Sequence, residues 1–177
     1  DDGSFDVEGY RHAIRIWTIV LEISVLMAAY PSRQVAQRSF DFRTLGLGYA
    51  NLGSVLMRKG IPYASSEGYA LCGALTAILT GEAYCTSALM AKESGPFPNY
   101  YRNRDSMLRV IRNHRRAAYN AEKSEYEGLS VFPVGLNAAL TDESLVMAAR
   151  EVWDKAYELG EQYGFRNAQV SVLAPTG

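Results

Sequence analysis

Apolar residues recur at helical spacing along most of this chain. After Asp6, a residue suited to an N-cap, residues 7–30 carry Ile14, Trp17, Leu21, Val25 and Ala28 on one side. Ile16, Ile19, Val20 and Ile23 fill the other, which predicts a helix apolar on nearly every face and buried between neighbours. Pro31 ends it, and Ser32 caps a shorter helix reaching about Arg43. In Thr44–Gly53 the period changes. Leu45, Leu47 and Tyr49 alternate with glycines, the pattern of a short strand near 45–50 whose backbone a neighbour approaches closely. Residues 51–59 open a helix closed by Gly60. Ser65 or Ser66 starts the longest helix, which ends near Gly95 and offers Ala74, Ala77, Gly81, Ala88 and Ala91 to close neighbours.

Residues 104–119 form a basic helix, and Asn120 to Leu140 reads as a loop with little regular structure. Thr141 caps a helix from about Asp142 to Tyr163, terminated by Gly164. The last segment, residues 168–174, places Val170 and Val172 on one face of a second buried strand. It runs into Pro175-Thr176-Gly177, a turn whose small residues leave backbone N–H groups free to point at an anion. Helices dominate and two glycine-flanked strands punctuate them.

Composition narrows the class. With 177 residues and 48% hydrophobic content, the chain is long enough for one domain with a core. A net charge of -1 exerts no pull toward nucleic acid or anionic membranes. Cys72 and Cys85 lack metal-ligand spacing and read as buried free thiols, which points to a reducing, cytoplasmic compartment. No secretory signal is visible. The apolar run from Ile16 to Tyr30 is broken by Glu22 and falls short of the ~20 residues that span a bilayer, so no membrane helix is expected.

Several candidate chemistries fall away on spacing. A dinucleotide-binding fingerprint built on Gly46 and Gly48 would need glycine where Asn51 stands. His12 and His114 have no partner at metal-ligand spacing, and no catalytic triad or carboxylate pair is present. Glu22 and Glu82 lie within apolar helices, where each must meet an arginine or a backbone N–H group. Arg109, Arg112 and Arg116 share one helix face. They read as a solvated face, as a patch pairing with acidic partners in a missing part of the chain, or as a nucleotide or phosphate contact. The alternative function is therefore a stand-alone helical nucleic-acid- or nucleotide-binding module using helix 104–119.

Three motifs together carry a family resemblance: Arg43-Thr-Leu-Gly-Leu-Gly-Tyr-Ala-Asn-Leu-Gly53; Gly95-Pro-Phe-Pro-Asn-Tyr100 leading to Met107-Leu-Arg-Val-Ile-Arg-Asn-His-Arg-Arg-Ala-Ala118; and Phe165-Arg-Asn-Ala-Gln-Val-Ser-Val-Leu-Ala-Pro-Thr-Gly177. They resemble the large catalytic chain of ribonucleotide reductases. Trp17–Met27 and Tyr126–Val131 are most similar to the adenosylcobalamin-dependent, class II branch, while the glycine-rich and Arg-Asn motifs are similar to the class I branch as well.

The resemblance implies an α/β fold, in which residues 1–177 are a mostly helical fragment of a ten-stranded α/β barrel with parallel strands near 45–50 and 168–174. It implies conversion of ribonucleotides to deoxyribonucleotides by a thiyl radical, with adenosylcobalamin as cofactor and a dithiol such as thioredoxin as reductant. Pro175, Thr176 and Gly177 match the first part of the family's phosphate loop and would hold the substrate diphosphate through backbone N–H groups. The family's Asn-x-Cys-x-Glu loop, which bears the radical cysteine, matches nothing in this chain, so catalytic residues are expected outside it. Read this way, the chain is an internal piece of a larger enzyme, inactive alone, with no direct DNA binding.

Overall fold

A computed structural model describes residues 3–174. It contains six α-helices: α1 (Val7–Met27), α2 (Arg33–Phe42), α3 (Leu52–Lys59), α4 (Ser66–Ser94), α5 (Tyr100–Ala118) and α6 (Glu143–Tyr163). Their ends follow from local chemistry. Asp6, Ser32 and Ser65 accept the backbone N–H groups of Gly9, Val35 and Gly68, each satisfying a donor the first turn leaves free. Gly60, Gly95 and Gly164 stop α3, α4 and α6 with positive φ angles that cost glycine nothing. α1 ends at Met27, three residues short of the expected boundary, because Ala28 is already extended ahead of Pro31. The 120–140 segment holds two short 3-10 turns, Lys123–Glu125 and Ala138–Leu140, and is otherwise irregular, as its composition predicts.

α4 forms the axis of the molecule. Sixteen of its 29 residues are buried, because α1 and α6 pack on it and the extended segments around 45–47 and 165–171 cross it. Small residues make this possible. A Cβ on Gly81 would stand 2.5 Å from Val152 Cγ2, so α6 comes close enough for Trp153 and Val152 to be fully enclosed. Cys85, beside them, donates its thiol to the Val152 carbonyl at 3.1 Å. Phe165 and Tyr84 meet edge to face at 5.4 Å, as do Phe97 and Tyr100, extending the core to the start of α5.

α1 corrects the expectation of burial on every face. Only Arg11, Ile14, Thr18 and Glu22 are buried, a stripe three to four residues apart that faces α4. Ile16, Ile23 and Leu26 are exposed, with Trp17 at 57% and Met27 at 78%. A helix that touches its neighbours along one line covers only that line, whatever the hydrophobicity of the rest. No described helix is long and apolar enough to cross a membrane.

The fold class also needs correction. The described residues form neither a strand nor a sheet, and hence no barrel segment; the fold is helical. The two segments expected as strands, 45–50 and 168–174, do run side by side and parallel, but they make one isolated bridge, Leu47 with Ser171. Leu47 N–H donates to Val170 O at 2.9 Å, and Val172 N–H to Leu47 O at 2.9 Å. A regular ladder continued backward would bring Leu45 N–H to the carbonyl of residue 168. It bonds instead to Gln169 O at 2.8 Å, so the register slips by one across Gly46 and the repeat is lost. The glycines serve close approach, although the close neighbour is the other extended segment rather than a helix. A Cβ on Gly46 would meet the Val172 side chain, and one on Gly48 the Val172 carbonyl at 2.5 Å.

Two neighbouring glycines of α4 give a direct test of this packing. Gly81→Ala is expected to destabilise the chain by about 1–3 kcal/mol in urea unfolding, since Val152 must move. Gly73→Ala meets only Leu136, at 4.0 Å, and is expected to be neutral or stabilising by up to about 1 kcal/mol. Equal losses at both positions would contradict the packing.

Candidate functional site

Asn167 and Glu22 sit where the extended pair begins. Asn167 has no exposed surface, and Glu22 is 8% exposed near the C-terminal third of α1. A carboxylate so placed must be compensated. Glu22 Oε1 accepts from Arg43 Nε and Arg166 Nε, both at 2.8 Å, and Oε2 accepts from Asn167 Nδ2 at 2.6 Å. Arg43 Nη2 lies 2.5 Å from the same Oε1, but no acceptor is aligned with its N–H bonds, so at that nitrogen the attraction is one of charge alone.

Asn167 in turn engages both ends of its side-chain amide and its backbone N–H. Its Nδ2 also donates to Arg43 O at 2.9 Å, its Oδ1 accepts from Ser87 Oγ–H at 2.8 Å, and its N–H donates to Ser87 Oγ at 2.9 Å. Arg166 reaches on to the Ser94 and Gly95 carbonyls at 3.2 Å, satisfying groups the end of α4 leaves free. The backbone N–H groups of Arg166 and Ala168 donate to Ser87 O and Phe42 O. Arg43 itself adopts a left-handed conformation, φ 48°, as the residue that caps the C-terminal end of α2. The node thus joins α1, the end of α2, α4 and the start of the 167–174 segment.

Hydroxyl groups hold the pair further along. Thr80 and Ser171 share a 2.9 Å hydrogen bond, and Tyr49 O–H lies 2.8 Å from Thr76 Oγ1 and 3.4 Å from Cys72 Sγ. Burial, then the hydrogen bond with Cys72, pushes the Tyr49 phenol up to about 12. The parallel run directs both segments toward the same end, where 168–174 leads into Pro175, Thr176 and Gly177. Those three residues, expected to bind an anion, lie outside the described residues.

Beside this frame is a groove of about 690 Å³ between α4, α5 and the 134–140 segment, lined by Gly73, Thr76, Ala77, His114, Leu136 and Trp153 among others. His114 stacks flat on Trp153, ring centroids 4.8 Å apart, and burial lowers its pKa. The described residues contain no cluster of three or more His, Cys, Asp or Glu able to hold a metal.

Arg112, Arg115 and Arg116 of the basic helix are paired within the chain, while Arg109, the other arginine of the expected face, lies beside Gly128. Arg112 grips Glu127 with two hydrogen bonds, 2.7 and 2.6 Å, and Arg116 adds a third at 2.7 Å. Asn113 holds the Glu127 backbone from both sides. Arg115 pairs with Asp154 at 2.5 Å. The acidic partners of Arg112, Arg115 and Arg116 thus lie within the chain rather than in a missing part of it, and the nucleic-acid module is not supported. Glu82, the other carboxylate in an apolar helix, accepts from Arg11 Nε at 2.7 Å, with Arg15 at 3.7 Å. Cys85 is enclosed, and burial drives its thiol up to about 12. Cys72 stands thirteen residues away on α4, about 20 Å by helix rise, so the two cannot act as a dithiol pair. Arg43, Ser87, Arg166 and Asn167 were not legible as chemistry in the sequence; the available signal was an arginine just ahead of each of the two runs expected as strands.

The model of the ribonucleotide reductase barrel domain matches residues 1–177, and the chain belongs to the ribonucleotide reductase family. It is similar to the vitamin B12-dependent ribonucleotide reductase of Agrobacterium fabrum, 62% identical over 97% of this chain and 14% of that protein. The protein of the same name from Rhodopirellula baltica is 47% identical over 99% of the chain and 15% of its own length. The ribonucleoside-diphosphate reductase subunit alpha of Chlamydia pneumoniae is 25% identical over 97% of the chain and 15% of its own length. The chain therefore spans about one-seventh of these relatives.

Hydrogen bonds from Arg112 and Arg116 lower the Glu127 carboxyl to about 2. A depressed carboxylate contributes stability above its unfolded pKa and loses it as pH falls through the folded value. Glu127→Gln is therefore expected to cost about 1 kcal/mol at pH 7, a modest figure because the group is a third exposed. The gap between variant and parent should close between pH 4.5 and about 2, read by thermal unfolding across pH. A gap independent of pH would show that charge is not its source.

Proposed function

We propose that the chain is part of an adenosylcobalamin-dependent ribonucleotide reductase, acting on a ribonucleoside diphosphate with a dithiol reductant such as thioredoxin in the cytoplasm. The observation that carries this reading is the 62% identity over 97% of the chain to a protein named for vitamin B12-dependent reduction. Within that enzyme the backbone N–H groups of Pro175-Thr176-Gly177 and the residues that follow would hold the substrate diphosphate, proline contributing geometry but no donor. The role of residues 3–174 is to orient that loop. Neither cysteine here is suited to radical or reducing chemistry, Cys85 because it is enclosed and Cys72 because it stands alone beside Tyr49.

Adenosylcobalamin supplies the initiating radical when bound. None of the described residues is assigned to it.

The test uses the full-length protein that contains these residues. With a ribonucleoside diphosphate and dithiothreitol, deoxynucleotide is expected to form on addition of adenosylcobalamin, and the 177-residue chain alone is expected to form none. Turnover that needs iron and a second subunit, and ignores adenosylcobalamin, would move the protein to the other branch of the family.

A further inference from the structure

The groove between α4, α5 and the 134–140 segment, about 690 Å³, falls in the size range of small-molecule sites. Its walls are fixed. Leu136 N–H donates to Ala117 O at 2.9 Å and the leucine side chain is buried, which fastens the 134–140 segment to α5. Gly73 keeps the floor open, since a Cβ there would meet only Leu136, at 4.0 Å. None of the lining residues is Asp, Glu, Lys or Arg, so a charged ligand would lose its water and gain no counter-charge.

His114 is held as firmly. The residues on either side of it are pinned, Asn113 to Glu127 O at 2.9 Å and Arg115 to Asp154 at 2.5 Å. That keeps the imidazole flat on Trp153, with 5° between the ring planes. Trp153 is 1% exposed, whereas His114 stays exposed and lines the groove. Among the described residues no other ring stacks on His114, and neither of its nitrogens has a hydrogen-bond partner. Its polarity therefore serves no contact among them. Desolvation lowers its pKa, which favours the uncharged ring. On the 134–140 segment, Asn137 accepts from Ala139 N–H through Oδ1, and its Nδ2 has no described partner.

We propose that this groove is a binding site for an uncharged, planar nitrogen heterocycle of purine size, stacked on His114 and accepting a hydrogen bond from Asn137 Nδ2. A hydrocarbon chain or an apolar side chain would cover the same surface but leave the amide sealed from water and unpaired. A ring with nitrogen at its edge satisfies that donor and gains stacking on an imidazole already backed by an indole.

The experiment uses the full-length protein that contains these residues, with 8-azidoadenosine as a photoaffinity probe and peptide mapping to locate the label. Label is expected within residues 66–80 or 134–140, half-saturating on the order of 0.1 mM and displaced by adenine. Urate has the same ring system but is anionic at pH 7, and should displace it roughly tenfold less well. Gly73→Leu fills the floor and should abolish the label. His114→Leu still covers Trp153 but offers no ring, and should raise the half-saturating concentration roughly tenfold. His114→Phe restores a ring and should recover most of that loss. Thermal unfolding shows whether each variant is folded.

No label in these peptides, the result if another segment of the polypeptide fills the groove, overturns the proposal. Equal displacement by urate does the same. If His114→Leu lowers the unfolding temperature and leaves half-saturation unchanged, His114 serves only to cover Trp153, and the proposal fails. Where His114→Leu does not accumulate folded, Gly73→Leu decides, and label that persists in it overturns the proposal.

Discussion

The carboxylate of Glu22 is the constraint on which the rest of the arrangement depends. Burying a negative charge is tolerable only when donors converge on it, and breaking such a set by removing one member costs about 3–5 kcal/mol. Here the donors come from residues 21, 144 and 145 positions away in the chain. Satisfying one side chain therefore brings together α1, the end of α2 and the segment after α6, while Ser87 draws α4 into the same place. A buried ionic cluster is weak evidence of net stability. Its use here lies in specifying one spatial arrangement among many that an apolar contact would accept.

Around that node the packing is governed by size. α4 is enclosed because glycine and alanine let its neighbours approach, and the aromatic run from Phe97 through Tyr100 and Phe165 to Tyr84 fills what remains. α1 obeys a different rule. It meets α4 through the stripe that contains Ile14, Thr18 and Glu22, and the opposite side of the same helix stays in solvent.

The helices were legible in the amino-acid order because their signals are local: a hydroxyl or carboxylate at the start, a glycine or proline at the end, a repeat of three to four between. The need of Glu22 and Glu82 for arginine partners was legible too, since an apolar helix gives a carboxylate no other refuge. Which arginine answers was not, as Arg43 and Arg166 reach Glu22 through the fold. The same holds for Arg112 and Arg116, whose common face was visible while Glu127, in an irregular segment, was not. The alternation of leucine and glycine at 45–48 correctly indicated a close neighbour. It could not show the slipped register that prevents a ladder, because register belongs to a pair of segments some 120 residues apart and is written in neither. Pro175–Gly177 were read from a motif alone, and their place in the site stands as the proposal above.

Two tryptophans occupy opposite surroundings in this fold. Trp153 lies sealed between α4 and α6 with an imidazole against its indole, and Trp17 stands in water on the uncovered side of α1. Their emission should therefore differ in colour and in quenching by dissolved iodide. The molecule thus carries two optical reporters, one for integrity of its interior and one for anything that settles on α1.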